Sequence, residues 1–325
     1  MEQKKMQFGS IPGVGLPVSR LVFGCAFPEM RDGQDVGDVL DAAFAAGFNT
    51  FDTAESYGAS EAALGRWMDS RKMRNQVVIL TKGAHPYDGR SRVTPQDIRT
   101  DIEKSFERLG TDYIDIYLLH RDDPGVEVGP LVEMLDSYRR SGRIGVYGGS
   151  NWTVARVAEA NAYAAAHGLF PFAVSSPQFS LAVQLRDPWG GCVSISAPEQ
   201  REDRVWYTAQ NIPIFSYSSL GSGMLSGRVK SSEPEAARTL LNPNIVFGYH
   251  DPLNFERLAR AEQLAQRKGC SVPDIGLAWL LHQELTVYPV VAASKPSHMA
   301  SNVAAFAVSL TPAERHWLET GEVPA

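Results

Sequence analysis

The sequence predicts an α/β fold: a closed (β/α)8 TIM barrel with an N-terminal β-hairpin and long loops at the C-terminal face of the barrel. Three observations lead there. Short β-rich apolar runs alternate with helix-period segments eight times along the 325 residues. The apolar runs are near-continuous, the pattern of parallel strands covered by helices. Eight such units in a chain of this length fit a closed barrel better than an open doubly wound sheet. The whole of 1–325 is expected to form one barrel domain.

The elements follow in order. Residues 6–20, with Pro12-Gly13 and Gly15, read as a hairpin before the first barrel strand. Strands are expected at 21–24 (LVFG), 48–51 (FNTF), 77–81 (VVILT) and 113–119 (YIDIYLL), then at 144–148 (IGVYG), 173–176 (AVSS), 212–217 (IPIFSY) and 288–292 (YPVVA). Amphipathic stretches lie at 36–46, 60–70, 95–109, 129–141, 153–166, 199–210, 252–268 and 297–307. Thr94 is placed to cap a helix whose first turn holds Pro95. Gly47, Gly110, Gly142, Gly168 and Gly269 fall where helices should stop. Two stretches, 179–198 and 218–251, exceed an ordinary connection, and long loops in a compact domain usually serve as lids or walls.

Composition bounds the partners. Net charge is −6 with no long basic run, so neither nucleic acid nor a membrane surface is an expected partner. No apolar stretch is long enough to span a bilayer, and MEQKKMQFGS has no apolar core after its lysines, so it does not read as a signal peptide. Cys25, Cys192 and Cys270 are odd in number and far apart, which argues against a disulfide framework or a zinc site and fits a reducing cytoplasm. No histidine–carboxylate spacing reads as a metal site. The expectation is a cytoplasmic protein without metal, and nothing in the sequence indicates an oligomer.

Four ionisable residues carry the chemistry. Asp52 and Tyr57 lie in FDTAESYG (51–58), Lys82 in VVILTKG (77–83) and His120 in DIYLLH (115–120). Asp52, Lys82 and His120 each follow directly on an apolar strand run, after strands two, three and four. In such a barrel the chemistry sits at the carboxyl ends of the strands, so the four should meet on one rim. Singly, each has an ordinary structural explanation: a turn tyrosine, a solvated strand-end lysine, a satisfied buried histidine. Together they make a proton-transfer site. Carbonyl reduction adds a hydride to carbon and a proton to oxygen. A phenol near pKa 10 is a poor acid at neutral pH; an ammonium beside it, Lys82, should lower that pKa. Asp52 would hold Lys82 charged and aimed, and His120 would hydrogen-bond the carbonyl oxygen.

The chain resembles the aldo-keto reductase family from LVFGCA (21–26) to ASKPSHMASNVAAF (293–306). GFNTFDTAESYGASEAALG (47–65), DYIDIYLLH (112–120) and RRSGRIGVYGGSNW (139–152) carry the likeness. It implies a (β/α)8 barrel and an Asp, Tyr, Lys, His tetrad matching Asp52, Tyr57, Lys82 and His120. It implies a nicotinamide dinucleotide extended across the barrel mouth without a GxGxxG motif, and no convincing one follows a strand here.

By motif, Ser150, Asn151 and Gln178 match residues that hold the carboxamide, and Tyr217 the tyrosine that stacks on the nicotinamide. Ser218, Leu220, Gly221, Ser222 and Gly223 match the loop around the pyrophosphate. The resemblance also implies that Asp52 would touch the nicotinamide ribose, with Gly24 and Cys25 on the floor near it. At the adenine end His298 stands where an arginine is common and Ala292 where some members have lysine. Ser294 and Lys295 remain as phosphate partners, and Asn302 matches an adenine-contacting asparagine. NADP(H) is favoured on family habit, with NAD(H) the alternative.

Substrate walls are expected from Phe27 and Pro28, from His85 and Tyr87 in HPYDGRSR (85–92), from Trp152, and from Trp189 in LRDPWGG (185–191). Arg90, Arg92, Arg121 and Asp122 either form a polar rim for a hydroxylated or anionic substrate or are solvated loop residues. Family members with steroid-type pockets often close them with a longer tail, so the resemblance, with only a short stretch after Leu310, implies that a bulky apolar substrate is not expected. The expected substrate is a small hydroxylated or sugar-like aldehyde or ketone. The alternatives are a sugar dehydrogenase running oxidatively, a cofactor-binding regulatory subunit with slow turnover, and an isomerase or lyase that uses its cofactor transiently.

Overall fold

In the computed structural model, which describes residues 5–293 and 295–322, the eight expected strands close into a barrel. The chain enters through an antiparallel pair, β1 (Phe8–Gly9) and β2 (Val18–Ser19). The barrel strands are β3 (Val22–Gly24), β4 (Thr50–Asp52), β5 (Val78–Gly83), β6 (Ile114–Leu119), β7 (Ile144–Ser150), β8 (Val174–Ser176), β9 (Ile214–Ser216) and β10 (Val287–Val291). Every neighbouring pair is parallel, and β10 joins β3 to complete the ring.

Two apolar layers hold the ring. Inside lie Val22, Val78, Leu80, Ile116, Leu118, Val146, Val174 and Phe215. Ile11 and Val18 of the entry hairpin belong to this interior cluster and plug the end of the barrel where the strands begin. The opposite parity on each strand, such as Phe23, Phe51, Ile79, Tyr117 and Tyr147, packs outward against the helices. The period of two thus feeds two cores at once, which is why these strands read as unbroken apolar runs.

The helices surround the barrel. The helix Pro95–Leu109 starts where expected: Thr94 accepts a hydrogen bond from the Asp97 N–H, and Pro95 fills the first position. Gly110, Gly168 and Gly269 end their helices in the left-handed conformation. At Gly65 the helix Ser60–Arg71 runs so close to Pro95–Leu109 that a Cβ would stand 2.6 Å from the Arg108 carbonyl oxygen and 2.7 Å from that of Leu109.

Two expectations change. The helix Val272–Leu281 is absent from the amphipathic stretches above because it is buried on nearly every face, Trp279 and Leu280 included; with no polar stripe the 3.6 period is silent. The stretch 218–251 is more than a loop, since it folds into helices Pro234–Leu240 and Pro243–Tyr249. Short helices starting at prolines and rich in loop residues carry little periodic signal.

Candidate active site

The interior turns polar at one rim by simple continuation of strand parity. Val78 and Leu80 face the interior of β5, and the next inward position is Lys82. Ile116 and Leu118 do the same in β6, and the next position, just past the strand, is His120. Asp52 ends β4 level with Leu80. Each lies at the strand end where the parallel sheet emerges.

The four are brought together. The Lys82 ammonium donates to Asp52 Oδ1 at 2.5 Å and to the Thr53 carbonyl at 2.8 Å. Its Nζ stands 5.0 Å from the centre of the Tyr57 ring. The Tyr57 and His120 rings meet edge-to-face at 5.6 Å. Tyr57 rides on the turn before Ser60–Arg71; Glu55 N–H in that turn bonds the Lys82 carbonyl, and Arg108 Nη1 donates to the Glu55 carbonyl at 2.9 Å. The helix Pro95–Leu109 therefore pins the Tyr57 turn from outside.

Burial sets the protonation states. It would lower the pKa of Lys82, but Asp52 and Tyr57 outweigh it, and the net shift is upward, so the ammonium stays charged. Burial pushes the Asp52 carboxyl up against the pull of Lys82. For Tyr57 the direction is opposite to that expected from Lys82 alone: burial raises the phenol pKa and Lys82 offsets only part of it. For His120, burial comes first and the charges of Lys82 and Arg121 add to it; its pKa lies well below the usual value, so the imidazole is neutral. Ser56 Oγ lies 3.3 Å from His120 Nδ1.

These groups open into a cleft of about 1380 Å³ across the barrel mouth. Beyond them Ser150 ends β7 and Asn151 follows it, and the Tyr217 hydroxyl donates to Asn151 Oδ1 at 2.7 Å. The chain then turns through left-handed φ values of 51° at Ser218, 58° at Gly221, 49° at Ser222 and 110° at Gly223. Such a run makes a concave cradle suited to phosphate oxygens. Only glycine fits at 221, where a Cβ would stand 2.7 Å from that of Ala182.

The sequence model of the aldo/keto reductase family matches residues 20–319. The chain belongs to the aldo/keto reductase family. It is 28% identical over 292 residues to norsolorinic acid reductase B of Dothistroma septosporum, covering 86% of this chain and 70% of that one. It is 28% identical to aldo-keto reductase str7 of Strobilurus tenacellus over 88% of this chain and 82% of the relative. An aryl-alcohol dehydrogenase of Pestalotiopsis microspora is 26% identical over 87% and 71%. Membership makes the chain an oxidoreductase of a family that uses NAD(P)H. No helix among the described residues is long and apolar enough to cross a membrane.

Against this aldo/keto reductase frame the expected contacts divide. Gly24, Ser150, Asn151, Tyr217, Ser218, Leu220, Ser222 and Gly223 line the cleft, as do His85, Tyr87 and Trp189, which are expected to contact substrate. Gly221 sits behind the cradle and shapes it. Several others do not reach the cleft. Cys25 is fully buried among core side chains. Gln178 is fully buried, and its amide is spent on Ser180, Ser194 and Ser196. Phe27 is a core residue packed on Phe23. Trp152 is fully buried against Phe172, its N–H given to the Arg121 carbonyl. The latter two belong to the cleft's supporting layer rather than its wall, because an apolar aromatic gains more from burial there.

Of the residues expected at the adenine end, Lys295 and His298 are exposed and Asn302 is buried, and none of the three lines the cleft. Ser294 lies outside the described residues. Of the expected polar rim, Arg90 and Arg92 pair with Asp97, and Asp122 pairs with Arg156. Lining residues that the motif reading missed include Arg228, Arg31, Lys104 and Arg108. Arg228 had a signal, since the glycine-rich run SSLGSGMLSGR ends on it. The other three sit on helices or turns with no local motif.

Proposed function

We propose that this protein is an NADP(H)-favouring carbonyl reductase that turns a small hydroxylated aldehyde or ketone into an alcohol. The observation that carries this is Tyr57 standing over the Lys82–Asp52 ion pair, edge-on to a neutral His120, on the floor of the cleft. The aromatic Tyr217, the polar pair Ser150 and Asn151, and the Ser218–Gly223 cradle fit a nicotinamide dinucleotide. When bound, that cofactor supplies the hydride.

The chain's own residues handle the proton. Tyr57 is protonated at neutral pH, because its pKa is raised, and gives its proton to the carbonyl oxygen. Lys82, held charged by Asp52, stabilises the phenolate left behind. Ser56 donating to His120 Nδ1 would leave Nε2–H free to orient the carbonyl oxygen. The same groups run alcohol oxidation in reverse, in keeping with relatives named both reductase and dehydrogenase.

The test is absorbance at 340 nm, the window of reduced nicotinamide, with NADPH or NADH and a panel of aldehydes, ketones and aldoses. Tyr57→Phe is expected to lower kcat by about 10²–10⁴-fold, the usual worth of a positioned acid, while cofactor affinity is kept. Wild-type turnover in that variant would refute the acid assignment. Tight cofactor binding without turnover of any panel member would favour the regulatory reading instead.

A further inference from the structure

We infer that Arg121 is a docking point for an anionic group on the substrate, so that the preferred carbonyl compound carries a carboxylate or phosphate. This rests on the reductase reading above and narrows its substrate class.

Arg121 is only 9% exposed, yet it lines the cleft directly after His120. No carboxylate among the described residues lies within ion-pair distance of it. Its contacts are neutral: Nε donates to the Gly190 carbonyl at 3.1 Å, Nη1 to the His120 carbonyl at 3.0 Å, and Nη2 approaches Cys192 Sγ at 3.8 Å. A guanidinium has five N–H groups, so one on each terminal nitrogen is left over. A paired charge would need no further partner, whereas a buried cation resting on carbonyl dipoles alone still lacks a counter-ion.

The acids on the flanking segments are committed elsewhere. Asp122, the next residue, is turned to Arg156 at 2.9 Å. Asp187 accepts the backbone N–H groups of Trp189, Gly190 and Cys192. The loop it organises is the one whose Gly190 carbonyl tethers Arg121. This holds the guanidinium rigidly, as a fork prepared for an oxyanion should be held.

The wider field agrees. Among the described residues, seven lysine and arginine side chains line the cleft against two carboxylates, in a chain whose net charge is −6. Lys82, Arg92 and Arg108 are neutralised by neighbouring acids. Arg228 stands beside the cradle at Gly223, where on the reductase reading it would face cofactor phosphate. Arg121 is the buried one without a carboxylate, and it is on the His120 side, where the carbonyl must lie. A cleft so charged concentrates anions.

The test pairs carbonyl compounds that differ only in charge: 4-formylbenzoate against its methyl ester, and glyceraldehyde 3-phosphate against glyceraldehyde. Binding to the NADP⁺-loaded protein is read by calorimetry and turnover at 340 nm. In wild type the anion of at least one pair is expected to bind about 10-fold or more tighter than its neutral partner, the scale of a charge-assisted contact. In Arg121→Gln that preference should collapse to near one. The pair that shows it separates carboxylate from phosphate.

Equal binding of anion and neutral partner in wild type would overturn the proposal, and that arm needs no variant. A preference that persists in Arg121→Gln would overturn it too, leaving Arg121 as a loop tether only. Preferential anion binding without turnover would sink the reductase reading and leave the docking role standing. Turnover of neutral carbonyls with no anion preference would do the reverse.

Discussion

His120 shows how burial alone chooses a protonation state. Its imidazole sits among Lys82, Arg121 and His85 in a desolvated floor, and each factor opposes the charged form. Its folded pKa is depressed below the ordinary 6.5, so the unfolded chain binds the proton first as pH falls. The neutral ring's contribution to stability is fully present above 6.5 and is lost as pH drops toward the folded value. His120→Asn should therefore flatten the acid limb of a Tm-versus-pH curve below 6.5, and superimposable limbs would show that His120 does not titrate on unfolding. At the other end of the scale, the raised phenol keeps Tyr57 protonated past neutrality. The kcat/KM for reduction should accordingly hold through neutral pH and fall only in the alkaline range. An early fall near neutrality would mean that Lys82 wins over burial once cofactor is bound.

Among elements, the pairing of Ser60–Arg71 with Pro95–Leu109 matters most to the site. The first helix follows the Tyr57 turn, and the second reaches back through Arg108 to hold that turn by the Glu55 carbonyl. Their close approach depends on Gly65, where a side chain would meet two carbonyl oxygens. Gly65→Ala should push the helices apart and cost about 1–3 kcal/mol, the usual price of overpacking, as read by urea denaturation. The displaced Arg108 should also lower kcat more than it changes cofactor affinity. A variant as stable and active as wild type would mean that the helices can separate without moving Tyr57.

For the whole molecule, the barrel separates stability from chemistry along its axis. The entry hairpin plugs one end with Ile11 and Val18, and the ionisable groups open at the other. Ile11 is 2% exposed, and Ile11→Ala should cost about 2–5 kcal/mol through lost burial and the cavity left behind. The kcat/KM should be unchanged, since the packed interior lies between plug and cleft. A drop in kcat/KM as large as the loss in stability would show that the two ends are coupled.

Much of this was legible in the linear chain because the period of two does two jobs. It marks a strand, and it also says which residue follows the last inward apolar one, as Lys82 follows Leu80 and His120 follows Leu118. The strands and the shared rim of Asp52, Lys82 and His120 follow from that local pattern, while the entry hairpin, the helix caps and the Tyr57 turn follow from equally local Pro, Gly, Thr and motif signals. Other properties depend on residues distant in sequence. Gln178 and Trp152 turned inward because Ser194, Ser196 and Phe172 were there to receive them. Arg121 lost every acid that might have paired with it only when Asp122 found Arg156 and Asp187 closed its own loop. The Tyr57 pKa moved up because desolvation is a property of the enclosed cleft, which no local motif encodes. Periodicity is local and fixes which way a side chain points; burial and charge pairing are collective, and they exist only once the barrel has closed.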